Sequence, residues 1–215
     1  MRYFKTLGIA IVATAALTGF VGVGAASATV LCKVEPTGGN TGTKGTTCPE
    51  GSAYPSGTEI HAVVNGSVTF ENPFKTLECK KSTWTAATKQ EGGASETVSA
   101  TVGALTFGEC SCELKTITPG TFEFHWVPDT LNGTATSSGA EFTSTCSTIF
   151  GIVHCIFVSN ATDLGTLTGG YPAALDIEGA HLSRVSTNPI CPESSPFTAK
   201  YEITTPKPLY IAAET

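Results

Sequence analysis

Eight cysteines constrain this chain more than any other feature of its sequence, because each bridge between them ties two distant positions together. They are Cys32, Cys48, Cys79, Cys110, Cys112, Cys146, Cys155 and Cys191. Their number is even and all of them follow an apolar N-terminal segment, a pattern typical of a disulfide framework in an exported protein. The sequence contains no C-x-x-C pair and no zinc-ligand spacing. We therefore expect structural disulfides, no metal ion and no other cofactor.

Two of the bridges can be assigned from spacing. Cys146 and Cys155 are symmetric about Phe150-Gly151. If those two residues form a tight hairpin turn, the two cysteines lie opposite each other within bridging distance. Cys32 and Cys48 flank a segment rich in Gly and Thr that has no core of its own, so we expect a local bridge to close it.

The other four cysteines have no obvious local partner. Cys110 and Cys112 are separated by one residue, so in a strand both sulfur atoms point to the same face and are poorly placed to bond each other. Each is expected to reach a different strand, with Cys79 and Cys191 as the remaining partners. The sequence leaves open which of the two takes which.

The first 28 residues have the three-part pattern of a secretory signal peptide. Arg2 and Lys5 give a positive start, an apolar run follows, and Ala26-Ser27-Ala28 is a small-x-small cleavage site. The alternative is a retained anchor, because Leu7 to Ala26 is about long enough to span a bilayer. We expect cleavage, a location outside the cell or at its surface, and no membrane contact after cleavage.

Composition excludes several classes of function. Charged residues make up 14% of the sequence, against about 25% in an ordinary soluble domain. The 12 lysines and arginines form no cluster of the kind that nucleic-acid binding needs. The formal net charge of −6 also disfavours anionic membrane surfaces. Hydrophobic residues make up 40% of the chain, which is enough to build a core.

Alternation of apolar and polar residues predicts β-strands throughout. The clearest example is Phe197 to Thr204, and Thr121 to Val127 and Thr97 to Val102 follow the same period of two. The best helical candidate, Trp84 to Gly92, is short and weakened by its Thr and Gly residues. The sequence therefore predicts an all-β protein, a disulfide-stapled β-sandwich or barrel-like antiparallel fold.

Two Asn-Gly pairs suggest hairpin turns, because both residue types tolerate positive φ. Asn65-Gly66 separates Glu59–Val64 from Ser67–Phe70, which predicts that these two segments pair with each other. Asn132-Gly133 is expected to turn the chain after the strand that contains Trp126.

Three segments follow from these patterns. Residues 1–28 are predicted to be the signal peptide, residues 29–57 a disulfide-closed N-terminal loop segment, and residues 58–215 one all-β domain. The segment from Glu35 to Gly57 is loop-like and is interpreted as an appendage held by its bridge.

Only weak candidates for catalysis are present. Glu123 and His125 lie two residues apart on one predicted strand, about 7 Å from each other, and Asp129 follows nearby. These three could form an acid/base cluster, although a solvated strand face explains them more simply. Lys200 and Glu202 have the same spacing, and we interpret them as a surface ion pair. The sequence contains no nucleophile elbow, zinc-protease helix or phosphate-binding loop.

Several stretches resemble a known group of proteins. They are Leu31–Val34, Thr47–Gly51, Tyr54–Thr58, Leu105–Cys112 and Ala199–Tyr210. Together they resemble a group of secreted, Thr/Gly-rich, Cys-containing bacterial all-β proteins with no assigned activity. The resemblance implies export and an all-β scaffold. It implies no catalytic residues, ligand or partner.

The sequence thus favours a secreted extracellular or cell-envelope binding or structural module without catalytic activity. Its partner would be a glycan, a cell-wall polymer or another surface protein, because outward Thr and Ser residues offer hydroxyl groups for hydrogen bonding. One alternative is a secreted hydrolase that uses Glu123 and His125 with a further carboxylate not yet placed. The other is a secreted inhibitor that presents the Cys32–Cys48 loop as a rigid bait.

Overall fold

The structure, a computed structural model, describes residues 28–37, 47–71, 75–93, 96–149 and 151–213. All regular secondary structure in these residues is β-strand, which confirms the all-β prediction. The predicted signal segment 1–28 lies outside the described residues except for Ala28. The strands are β1 (Thr29–Cys32), β2 (Glu59–Val64), β3 (Val68–Phe70), β4 (Leu77–Thr88), β5 (Gly92–Gly93), β6 (Val98–Cys110), β7 (Glu113–Thr118), β8 (Thr121–Trp126), β9 (Asn132–Ser138), β10 (Glu141–Thr148), β11 (Gly151–Val158), β12 (Thr162–Thr168), β13 (Ala174–Arg184), β14 (Ser194–Thr205) and β15 (Tyr210–Ala212).

Eight strands form a closed antiparallel ring. Hydrogen-bonded pairing runs from β2 to β4, β6, β8, β9, β12, β13 and β14, and β14 pairs with β2 again. Side chains alternate between the ring interior and the solvent, as the period of two predicted. Trp84 lies in the interior, with its ring 5.1 Å from that of Phe122 and 6.3 Å from that of Tyr201.

Four strands of the ring, β4, β6, β13 and β14, are long enough to continue into a second half of the fold. There β3 lies between β4 and β14, while β11 pairs with the end of β13 and is followed by β10 and β7. Thr116 Oγ1 of β7 donates a hydrogen bond to Leu105 O of β6. Phe70 packs against Phe142 and Phe197 in the interior of this half, with ring centroids 6.0 and 4.8 Å away.

A small sheet, in the order β15-β1-β5, packs at one end of the ring. Leu31 and Ile211 belong to the main core, so this sheet buries part of its surface against the ring. The hydroxyl of Thr29 accepts a hydrogen bond from the backbone N–H of Trp126 at 3.0 Å. A second, smaller apolar cluster surrounds the bridge between Cys32 and Cys48.

The three predicted strands are present in β14, β8 and β6. In β14 the side chains of Phe197, Ala199, Tyr201 and Ile203 are buried, and the residues between them face outwards to varying degrees. In β8 and β6 the apolar positions are likewise the inward ones, with Trp126 half-buried at the end of β8. The alternation therefore identified both the strands and their inner faces.

The hairpin predicted at Asn65-Gly66 is wrong. Strands β2 and β3 do not pair with each other; both lie between β4 and β14 and continue one another in the same direction. The residues between them form an irregularity within this interrupted strand, at which Gly66 has φ +104° and the Asn65 N–H bonds to Lys200 O. Ile60 and Val68 lie an even number of residues apart, so the alternation keeps its phase across the irregularity and both side chains face inwards.

Two further local predictions are corrected. Strands β8 and β9 do form a hairpin, but residues 127–131 make the loop, and Asn132 and Gly133 already belong to β9, where Gly133 pairs with Trp126. A Cβ at Gly133 would collide with the backbone oxygen of His125 and with the Ile211 side chain of β15, so glycine is favoured there. The weak helical candidate, Trp84 to Gly92, lies mostly in β4, which pairs with β2 on one side and β6 on the other.

All eight cysteines form disulfides, and the bridges are Cys32–Cys48, Cys79–Cys110, Cys112–Cys146 and Cys155–Cys191. The predicted Cys32–Cys48 bridge is confirmed. Cys79 is indeed a partner of the closely spaced pair, through Cys110, whereas Cys112 does not bond to Cys191.

The predicted bridge between Cys146 and Cys155 is wrong. The ladder of β10 and β11 ends with Thr148 opposite Gly151, so the hairpin loop lies one residue earlier than predicted. This moves the pairing by two positions, which places Cys146 opposite Val153 and Cys155 opposite Ser144. Each cysteine then bonds to a residue outside the hairpin.

We predict that replacing both Cys112 and Cys146 by serine lowers the free energy of unfolding by about 4 kcal/mol, because the bridge closes a loop with a sequence separation of 34. The matched Cys32→Ser/Cys48→Ser variant, with a separation of 16, should lose about 3 kcal/mol. Denaturant titration followed by circular dichroism measures both. A non-reduced peptide map that joins Cys146 to Cys155 would contradict the pairing.

We also predict a decline in stability at alkaline pH that depends on Tyr201. Burial raises the pKa of the Tyr201 phenol far above its usual value near 10, although its hydrogen bond with Ser82 Oγ, 2.7 Å away, opposes the shift. The folded state therefore retains a proton that the unfolded chain loses above pH 10. Relative to Tyr201→Phe, the wild type should lose about 1.4 kcal/mol per pH unit above 10. Tyr171→Phe, at an exposed position, should keep the wild-type dependence.

Candidate functional site

A row of directly opposed residues crosses the outer face of five neighbouring strands. From β8 to β14 the register aligns His125, Thr134, Thr166, Asp176 and Lys200. Each lies between inward-facing neighbours, so all five side chains project outwards. With strands about 4.8 Å apart, the row spans about 19 Å.

The outer face is indented where β12 and β13 diverge, a place that we call the fork. The two strands pair only from Thr166–Thr168 to Ala174–Asp176. Beyond this point both are irregular: β12 shifts register against β9, and β13 shifts register against β14 around Gly179, whose φ is +64°. A Cβ at Gly165 would collide with the backbone of Asp176. The close approach of β12 to β13 at the end of their pairing therefore requires glycine.

The fork contains an open depression of about 450 Å³, the outer depression. It is lined by Thr134, Leu164, Gly165, Thr166, Thr168, Asp176 and Glu178. Three lining residues therefore carry hydroxyl groups and two carry carboxylates. Such groups can donate and accept hydrogen bonds at the same time, which suits a ligand that presents several hydroxyl groups.

The charges of the outer depression are partly compensated. Lys200 Nζ lies 2.8 Å from Asp176 Oδ2, and 39% of the Asp176 side chain remains exposed to solvent. Glu178 is exposed and makes no ion pair within the described residues. The predicted pair between Lys200 and Glu202 does not form, because Glu202 bonds to Lys207 at 3.1 Å.

The candidate catalytic residues stand outside the outer depression. Glu123 and His125 lie on the outer face of β8, and Asp129 is exposed in the loop between β8 and β9 with φ +62°. His125 is three strand spacings, about 14 Å, from Asp176. The fold thus brings neither Glu123 nor His125 together with the carboxylates of the fork.

A second, smaller depression lies on the outer face of β2, β4 and β6. Its volume is about 300 Å³, and Glu59, His61, Thr85 and Gly103 contribute to its lining. His61 Nε2 is 3.4 Å from Glu59 Oε2. Because this depression is similar in composition but separate in position, it supplies control variants for the first.

Neither metal nor thiol chemistry has support in the part of the chain that the structure describes. No three His, Cys, Asp or Glu side chains converge there in a way that could hold a metal ion. Every cysteine is bridged, so no thiol nucleophile is present. Four disulfides are typical of an oxidising, extracellular type of compartment. No helix among the described residues has the length and apolar character needed to cross a membrane.

Comparison with known proteins gives no relative: no family model, curated protein or solved structure matches the chain significantly.

We predict that Asp176→Asn and Glu178→Gln each change the free energy of unfolding by less than about 1 kcal/mol, because exposed charges and ion pairs contribute little to stability. Leu175→Ala, at the fully buried neighbouring position, should cost about 2–5 kcal/mol. Denaturant titration compares the three. A large loss in either carboxylate variant would show that the fork depends on that charge for folding.

Proposed function

We propose that this protein is an exported extracellular or cell-envelope module, without catalytic activity, that binds a polyhydroxylated polymer such as a glycan or wall polymer. The observation that carries the proposal is the outer depression, where Thr134, Thr166 and Thr168 meet the carboxylates of Asp176 and Glu178. The outer depression thus presents hydroxyl and carboxylate groups together on the outer face of the strand ring.

The chemistry of the lining favours sugar hydroxyls. A threonine hydroxyl both donates and accepts, and a carboxylate accepts hydrogen bonds from neighbouring hydroxyl groups. Hydrogen bonds to a charged group contribute about 1.5–3 kcal/mol each. Two carboxylates in the outer depression would therefore supply much of the affinity for a neutral ligand rich in hydroxyl groups.

The shape of the site favours a chain over a small molecule. The depression is open, and the row continues beyond it to His125 on one side and Lys200 on the other. Tyr171 is 73% exposed in the turn that joins β12 to β13, three residues beyond Thr168. Its ring is available to stack on a sugar face, a common use of exposed aromatic residues.

Export is supported by two independent features. The first is the signal-like pattern that ends at Ala26-Ser27-Ala28. The second is the set of four disulfides, which form and persist in oxidising surroundings. A surface that uses threonine and serine in place of charge suits a wall or matrix environment.

The hydrolase alternative has less support. Asp176 is held by Lys200 and Glu178 lies in solvent, whereas a general acid is usually a carboxyl group kept from water. Glu123 and His125 line neither of the two depressions described above. For the inhibitor alternative, residues 38–46 of the proposed bait loop lie outside the described residues.

The proposal predicts retention of the purified protein on insoluble polysaccharides. The probes are cellulose, chitin, mannan and peptidoglycan, and bound protein is measured by co-sedimentation. The Asp176→Asn/Glu178→Gln variant should lose about tenfold or more in affinity, because it removes both charged acceptors. The Glu59→Gln/Thr85→Ala variant, in the second depression, should bind like the wild type.

Three results would overturn the proposal. The first is wild-type protein that binds none of the probes, and the second is an Asp176→Asn/Glu178→Gln variant that binds as well as the wild type. The third is release of soluble sugar from a polymer by the wild type, lost in Glu178→Gln, which would replace the binding module by a hydrolase.

A further inference from the structure

The end of the β10–β11 hairpin exposes two large apolar side chains, which we call the hairpin tip. Ile149 is 93% exposed and Ile152 is 68% exposed, and they flank the last turn of the hairpin. Large exposed apolar groups that lie close together are typical of surfaces that meet another phase or another molecule.

The hairpin tip projects beyond the strands beside it. Pairing of β7 with β10 starts at Thr145, and pairing of β13 with β11 starts at Phe157. On the β10 side, the chain from Ser147 onwards therefore has no strand neighbour except β11. Ile149 and Ile152 therefore lie at the end of the hairpin that is farthest from β7 and β13.

Beyond Glu141 at its first position, the hairpin carries no acidic or basic residue except His154. From Phe142 to Thr162 the sequence contains no Asp, Glu, Lys or Arg, in a chain whose net charge is −6. On the neighbouring strand β7, the charged residues Glu113 and Lys115 lie opposite Thr145 and Thr143, before the tip. Moving the tip into an apolar phase would thus require no ionised side chain to leave water.

The last described residue pairs before the turn are joined within the hairpin. Thr148 pairs with Gly151 and Ser147 with Ile152, and Thr148 Oγ1 donates to Gly151 O at 3.0 Å. A backbone can enter lipid only where its polar groups have internal partners. The outward backbone groups of Ser147 and Ile152 have no strand partner among the described residues, so insertion stops at the interfacial region, where the two side chains enter lipid and these backbone groups stay in water.

The small size of the tip favours a lipid surface over a protein partner. A stable protein interface buries about 800 Å² on each side and uses about 20–30 residues. Two isoleucines on a projecting turn offer far less, and a lipid layer needs no complementary shape. We propose that the hairpin tip inserts into the interfacial region of a lipid layer with neutral headgroups and gives the protein a weak, reversible attachment.

This attachment departs from the expectation of no membrane contact, which rested on the net charge and on removal of the long apolar N-terminal segment by cleavage. A hairpin tip is too short to appear as such a segment, and it holds no charge itself. The tip lies on different strands from the outer depression, so the inference does not depend on polymer binding.

The experiment uses phosphatidylcholine vesicles, with co-sedimentation and the rise in surface pressure of a phosphatidylcholine monolayer as the two measurements. Ile149→Thr/Ile152→Thr should lower the partition coefficient by about 30-fold or more, because it removes both apolar side chains while keeping their β-branched shape. The Ile117→Thr/Val185→Thr variant, which changes two other exposed apolar residues, should partition like the wild type. Adding phosphatidylserine should weaken binding, because the protein is acidic.

The inference is overturned if the wild type does not partition into phosphatidylcholine, or if the Ile149→Thr/Ile152→Thr variant partitions as well as the wild type. It is also overturned if the wild type is a dimer in sedimentation velocity and that variant a monomer, since a second copy of the chain would then cover the tip. Circular dichroism confirms that each variant is folded before it is compared.

Discussion

Continuity of four long strands holds this fold together. Strands β4, β6, β13 and β14 each take part in the closed ring and in the second half, so the hydrogen-bond register of one half sets that of the other. The interrupted strand formed by β2 and β3 lies between β4 and β14 and serves both halves in the same way. Because the two cores are joined by unbroken backbone, we expect them to unfold together.

The same arrangement creates the surface features that matter for function. A strand that leaves one half and enters the other must separate from a neighbour, and β12 and β13 separate in this way at the fork. Gly165 allows their close crossing, and Gly179 accommodates the irregularity beyond it. The outer depression therefore follows from the way the halves are joined, and its threonines and carboxylates occupy ordinary outward positions on the strands.

Local alternation was sufficient to find strands, because burial on one face imposes a period of two whatever the partner strand is. This is why β14 was recognised with its inner face. Strand pairing depends on residues far apart in the sequence, so a local turn signal can predict the wrong partner. Asn65-Gly66 is typical of a hairpin, yet the segments on both sides of it pair with β4 and β14 and not with each other. The predicted bridge from Cys146 to Cys155 is wrong for a related reason. A hairpin loop displaced by one residue moves the register of β10 against β11 by two residues.

The candidate site was less predictable than the fold. Asp176 and Glu178 look like any outward residues in the sequence. Non-local strand pairing sets Asp176 in one row with Thr166 and Thr134, and Glu178 lies beside this row where β13 becomes irregular. The glycines at these shifts were the one available signal, and among 23 glycines they do not stand out. Glu123 and His125 are candidates because of their residue types and spacing alone. A catalytic site also needs suitable groups on neighbouring strands, and these cannot be identified before the pairing is known.

The two tryptophans of the chain have opposite surroundings. Trp84 is 2% exposed, and its indole N–H has no hydrogen-bond acceptor, so the ring is held by shape and apolar contact alone. Trp126 is half-buried and donates to Thr130 O at 2.9 Å. Their fluorescence should therefore differ, with short-wavelength emission from Trp84 and longer-wavelength emission from Trp126. The molecule thus carries two intrinsic optical reporters, one for the interior of the ring and one for its contact with the small sheet.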